Sequence, residues 1–109
     1  MAGTFNIKQN DTLPSIQEQL TLGGTPQDIT GCSVKFHLRN NQNNTTKVNA
    51  TAVIVTPATG IVRYDWIATD TDTVGDYSRE WEVTYPSTKV LTYPNDQIGY
   101  TVTITDDIA

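Results

Sequence analysis

The chain has 109 residues and a formal net charge of −5, from 7 Lys+Arg against 12 Asp+Glu. That length suits one domain built on one core, residues 1–109, and the acidic balance lacks the basic footprint that captures nucleic acid. One cysteine, Cys32, excludes an internal disulfide, one histidine, His37, cannot anchor a zinc site, and no apolar run is long enough to span a bilayer.

Composition favours strands: 19 Thr, 9 Val and 9 Ile stand against 6 Ala, 5 Leu and 3 Glu. The N-terminal MAGTFNIKQNDT shows no apolar signal-peptide region, which predicts a chain made in a cytoplasm. Thr4 to Gln9 alternates with Phe5 and Ile7 on one face, and Asn10-Asp11 closes it. After Pro14, the run Ser15 to Leu22 places Ile16, Leu20 and Leu22 on one parity together with Glu18. Gly23-Gly24-Thr25-Pro26 is a turn signal, and Ile29 in the next connection is expected to tuck under the sheet edge.

Cys32 to Arg39 alternates cleanly, with Val34, Phe36 and Leu38 inward and Lys35, His37 and Arg39 outward. Asn40 to Asn44 is a polar turn. Lys47 to Thr56 reads as one strand, Pro57 to Gly60 as a tight turn, and Ile61 to Ile67 as its hairpin partner, with Val62, Tyr64 and Trp66 on one face. Ala68 to Gly75 reads as a solvated loop dense in Asp and Thr. Asp76 to Tyr85 is the longest strand, with Tyr77, Trp81, Val83 and Tyr85 on one face. Pro86 to Thr88 turns the chain into Lys89 to Tyr93, Pro94-Asn95-Asp96 breaks it, and Gly99 to Thr105 is the last strand, with Tyr100, Val102 and Ile104 inward. About eight strands and no helix of useful length predict an all-β, antiparallel immunoglobulin-like β-sandwich.

Chemistry-bearing patterns are sparse. Asp70, Asp72 and Asp76 beside Gly75 would suit a hard cation such as calcium, but Val74 and Trp81 stand where an EF-hand needs carboxylates. Turn-forming hydrogen bonds explain the same residues. Glu80 and Glu82 share an outward, wet face and have no reason to separate their acidities as a hydrolase pair must. Ser15, Ser33, Ser78 and Ser87 have only His37 as a base, so no triad is in view. No catalytic residue, metal site or cofactor is expected. Cys32 reads as a small buried hydrophobe. Parity sends Trp66 and Trp81 inward, which opposes exposed aromatic platforms of the kind a glycan-binding module needs.

The run Asp72 to Tyr77 is similar to the corner before strand F of immunoglobulin-like domains, where a Tyr hydroxyl bonds back to the loop. Arg79 stands where antibody-type domains carry a cysteine. Phe5 to Thr12, Asp28 to Arg39, Gly60 to Trp66, Gly75 to Pro86 and Thr92 to Asp96 together resemble, in order and spacing, the N-terminal immunoglobulin-like domain of the phage upper baseplate protein family, here as a free-standing copy. The resemblance implies a non-enzymatic virion part that docks onto other virion proteins at the tail or baseplate. Capsid decoration is the alternative, and a host-glycan-binding module is the alternative of another class; multi-copy symmetric assembly is expected, with the virion as its location and neither nucleic acid nor membrane as partner.

Two expectations concern particular side chains. Glu18 and Arg79 both fall on inward parity, which predicts a partly buried ion pair, unless Arg79 sits at the sandwich rim and snorkels. Ile61, Ile67, Leu91 and Tyr93 break the inward pattern, and together they would form an apolar contact patch.

Overall fold

Alternating β-branched and aromatic residues become strands wherever one face can be buried, and the described residues build eleven, several of them short. The computed structural model describes residues 3–94, 100–106 and 108. In chain order the strands are β1 (Gly3–Lys8), β2 (Ile16–Gln19), β3 (Thr21–Leu22), β4 (Thr25–Pro26), β5 (Ser33–Asn40) and β6 (Thr46–Thr51). They continue with β7 (Val53–Thr56), β8 (Ile61–Tyr64), β9 (Gly75–Thr84), β10 (Val90–Tyr93) and β11 (Tyr100–Thr105). The expected turn at Asn95-Asp96 and Gly99 at the head of the last strand lie outside the described residues.

One sheet runs β1-β11-β9-β5-β6, with β10 also paired to β9; a smaller sheet runs β2-β8-β7. The fold is all-β and sandwich-like, as the alternation predicts. Its pairs are antiparallel except β1 with β11, which run parallel from Gly3 opposite Tyr100 to Lys8 opposite Thr105.

The segment 47–56, expected as one strand, is two. Ala52 is buried between them and donates its N–H to Val34 O at 2.9 Å. There the chain leaves the large sheet as β6 and enters the small one as β7. The β7–β8 turn is a short 3-10 helix, Pro57–Thr59, ended by Gly60 at φ 73°. A Cβ on Gly60 would lie 2.5 Å from Gln27 O, so both the left-handed backbone and the close approach require glycine.

The core fills the space between the sheets with alternate residues of both. Phe36 on β5 stacks on Tyr64 on β8 at 4.7 Å between ring centroids, and Trp66 meets both edge-on at 5.6 and 5.4 Å. Trp81 packs against Phe36 at 4.7 Å. Ile29 is fully buried under the sheet edge.

Tyr64, Tyr77 and Tyr93 are each tied by their hydroxyls inside this structure. Tyr64 Oη donates to Asp70 Oδ2 at 2.6 Å, Tyr77 Oη donates to Thr73 O at 2.7 Å, and the Tyr93 and Tyr85 hydroxyls lie 2.7 Å apart. The Tyr77 bond is the strand-F corner expected from the sequence. Burial pushes all three phenols above their ordinary value of 10.0, reinforced at Tyr64 by Asp70 and at Tyr93 by Tyr85.

A raised phenol favours the neutral form in the folded state, so its stabilisation is whole below the free value and is lost as pH rises past it. Ultraviolet difference titration should therefore show Tyr64, Tyr77 and Tyr93 ionising only together with unfolding, above about pH 10. Reversible ionisation of all five tyrosines in the folded protein would contradict this. Gly60→Ala should lower stability by more than about 1 kcal/mol in urea denaturation.

Candidate functional site

Arg79 lies mid-strand on β9 and points inward, where its neighbours Tyr77, Trp81 and Val83 are fully buried. An inward guanidinium must find acceptors. Its Nε donates to Glu18 Oε1 at 2.8 Å, and Trp81 Nε1 donates to the same oxygen at 2.8 Å. Arg79 Nη1 also donates to Gly3 O at 3.0 Å and to Thr101 O, and the guanidinium carbon stands 5.3 Å from the Tyr100 ring centroid. The arginine side chain is 7% exposed and that of Glu18 16%. The pair therefore joins β9 of the large sheet to β2 of the small one and holds the start of β1. Its chemistry is structural, with each polar atom named here committed to a protein partner.

The expected apolar patch does not form. Leu91 lies opposite Val83 and Tyr93 opposite Trp81, so the β9–β10 register turns both inward; Tyr93 is 2% exposed and Leu91 packs on the core. Ile67 is exposed, but it follows the end of β8 and heads a 3-10 turn, Ala68–Thr71. Ile61 alone stays on an outward sheet surface, half-buried on β8.

The Asp70 loop is not a solvated turn. Asp70 and Thr71 are buried. Asp70 Oδ2 accepts from Tyr64 Oη and from the Ile67 N–H at 2.9 Å. Asp72 pairs with Lys47 and accepts from Thr73 Oγ1, and Asp76 Oδ1 accepts from Thr103 Oγ1 at 3.0 Å. The Lys47 ammonium, helped by Thr73, holds Asp72 below the usual carboxylate range. The three carboxylates serve three separate partners. Among the described residues no group of three or more His, Cys, Asp or Glu side chains is placed to hold a metal ion. Cys32 is half-buried rather than buried, and desolvation, with Asp28 beside it, raises its thiol.

Residue-by-residue reading missed the open edge of the small sheet. Strand β7 pairs with β8 on one side and ends the β2-β8-β7 order on the other. Val53 and Val55 are 41% and 40% exposed, and Val53 opposite Arg63 shares the outward face with Ile61. The signal was the uncharged run Val53-Ile54-Val55-Thr56 itself, hidden by reading residues 47–56 as one strand.

No family model matches the chain, and no curated protein matches it. Among solved structures it is similar to CopC from Methylosinus trichosporium OB3b, with a TM-score of 0.54 and 11% identity over 97% of this chain and 87% of that one. At that identity the likeness is one of fold. It overturns the resemblance to the phage upper baseplate protein family, and the tail, baseplate and capsid-decoration roles go with it. The five segments behind that resemblance carry strand alternation and turn residues, which unrelated sandwiches share. The glycan-binding alternative fails as well, because Trp66 and Trp81 are 4% and 0% exposed and offer no platform.

Removing one member of the buried pair leaves the other charge unpaired. Glu18→Gln and Arg79→Met should each cost about 3–5 kcal/mol in urea unfolding, and the double variant Glu18→Leu/Arg79→Met should recover much of that loss. An Arg79→Met protein as stable as the parent would show that the pair is not holding the sheets.

Proposed function

We propose that this chain is a non-catalytic β-sandwich that self-associates by pairing β7 with β7 of a second copy. The observation that carries the reading is the state of the sheet edges. Edge strands advertise unpaired main-chain groups, and proteins blunt them with charge, proline or brevity. Among the described strands, β1 carries Lys8, β6 carries Lys47, β2 turns Glu18 inward, and β3–β4 is two residues long with Pro26. Strand β10 is bracketed by Lys89 and Pro94. Strand β7, Val-Ile-Val-Thr, carries no charge within it or beside it; Pro57 follows it and its ladder with β8 slips between Ile54 and Thr56, yet it exposes two valines.

Antiparallel pairing of β7 across a two-fold axis joins two three-stranded sheets into one of six strands, with the same residues on both sides of the contact. Val53 and Val55 would then lie beside the same residues of the second copy across the junction. The net charge of −5 favours protein over nucleic acid as partner. A soft-metal role lacks a donor set, since imidazole and thiolate ligands come down to His37 and Cys32 alone.

Light scattering after size exclusion should show a dimer that dissociates on dilution. Val55→Lys should shift it to monomer with little change in melting temperature, because the side chain lies outside the core. Hydrogen exchange should protect the β7 amides more at high protein concentration. A chain that is monomeric at every concentration would overturn the proposal.

A further inference from the structure

The small sheet turns one face to the core and the other to solvent. Along β8 and the residues that follow it, burial alternates without a break. Val62, Tyr64 and Trp66 are buried, while Ile61, Arg63, Asp65 and Ile67 are not. The backbone is still extended at Ile67, with φ −108° and ψ 158°. Ser15 Oγ donates to Asp65 Oδ1 at 2.7 Å, which carries the β2–β8 register, Ile16 opposite Tyr64, past the end of the ladder. The outward side chains therefore form one row on one face, Ile61-Arg63-Asp65-Ile67.

This row is complementary to its own reverse: isoleucine faces isoleucine, and arginine faces aspartate. Arg63 and Asp65 are joined within the chain, Nε to Oδ1 at 2.9 Å and Nη2 to Oδ2 at 3.3 Å, yet their side chains stay 37% and 54% exposed. A guanidinium has more donors than one carboxylate accepts, and a carboxylate has more lone pairs than one guanidinium fills. By register, Gln17, Gln19, Val53 and Thr56 share this face, and none is charged. The face is thus neutral on a chain of net charge −5, so two copies can approach through it without the repulsion that the rest of the surface carries.

We propose that this face binds a second copy of the chain, sheet on sheet, about a two-fold axis that crosses the strands over Tyr64. One β8 then lies antiparallel above the other. Ile61 meets Ile67 of the second copy at either end, and Arg63 meets the second copy's Asp65 at the centre, so each contact occurs twice. Stacked sheets lie about 10 Å apart, a gap that side chains from both faces fill together. Charge complementarity selects this orientation, because parallel stacking would set Arg63 on Arg63 and Asp65 on Asp65. Three strands of four residues cover less than the roughly 800 Å² per partner of a standard interface, so the contact is weak and depends on concentration. It uses the face of the small sheet, where β7 pairing uses the edge, and it does not rest on that pairing.

The test is an isotope-filtered nuclear Overhauser experiment on methyl groups, with labelled and unlabelled parent chain mixed at about 1 mM, where weak dimers are populated. Within one copy Ile61 and Ile67 lie roughly 20 Å apart along an extended chain, beyond the reach of the effect. A cross-peak between their methyls should appear, and it can come only from two copies. Arg63→Asp and Asp65→Arg should each weaken the contact about tenfold or more and so remove the cross-peak, since each sets like charges together twice. The double variant Arg63→Asp/Asp65→Arg remakes a self-complementary row and should bring the cross-peak back. An exposed pair adds little to folding stability, so all three variants should melt with the parent. The proposal is overturned by a parent without the cross-peak, which would leave the face to a partner of another kind. It is overturned equally by single variants that keep the signal or a double variant that lacks it. Hydrogen exchange of the β7 amides, read on the same sample, separates the two contacts: unprotected β7 amides with the cross-peak present strike the edge pairing alone.

Discussion

One ion pair in a dry place constrains the rest of this molecule. A sandwich core is ordinarily made of side chains that can slide past one another at small cost, because apolar contact is non-directional. Glu18 and Arg79 cannot slide. Glu18 Oε1 lies 2.8 Å from both Arg79 Nε and Trp81 Nε1, so the small sheet is pinned to two successive inward positions of β9. The Arg79 bonds to Gly3 O and Thr101 O draw in β1 and β11. Four strands thereby meet at one guanidinium. Apolar replacements of similar volume are often as stable as such a pair. What the pair supplies is direction, which a purely apolar interface between two short sheets lacks.

The aromatic cluster then fits within limits the pair has set. Phe36 can stack on Tyr64 at 4.7 Å only if β5 and β8 face each other in one alignment, and Trp66 closes both rings edge-on. The crossing at Ala52 allows this geometry. A residue larger than alanine would have to find room where the chain passes from one sheet to the other beside Val34, and Ala52 is 8% exposed. Asp70 carries the cluster outward, since its carboxylate holds the Tyr64 hydroxyl and the Ile67 N–H together.

Much of this was legible in the sequence, for a physical reason. Strand faces follow a period of two, so Val34, Phe36 and Leu38 on β5, or Tyr77, Trp81 and Val83 on β9, declare their side without knowledge of partners. The same parity put Glu18 and Arg79 inward, and two opposite charges inward have few stable arrangements other than contact. What stayed hidden depends on pairing. Leu91 and Tyr93 face the core because of their register against β9, which no local pattern encodes. The parallel β1–β11 ladder joins residues about a chain length apart. The break at Ala52 lies within a run that reads as continuously extended, and only a second sheet waiting there makes it a break. The family resemblance failed for a related reason. Alternation and turn chemistry describe the sandwich, and CopC, at 11% identity, shares the sandwich.

The surface left open by the fold follows from its short strands. A sheet of three strands with four residues each cannot cover a neighbour completely, so β7 ends the small sheet with its valines half in water. That surface is apolar and repeats main-chain donors and acceptors, which suits another strand. Glu18 belongs to the sheet that β7 terminates, while Arg79 stands on β9 of the large one. Any change that loosens that pair must therefore reach β7 through β2 and β8, whereas a change confined to Val55 leaves the frame intact.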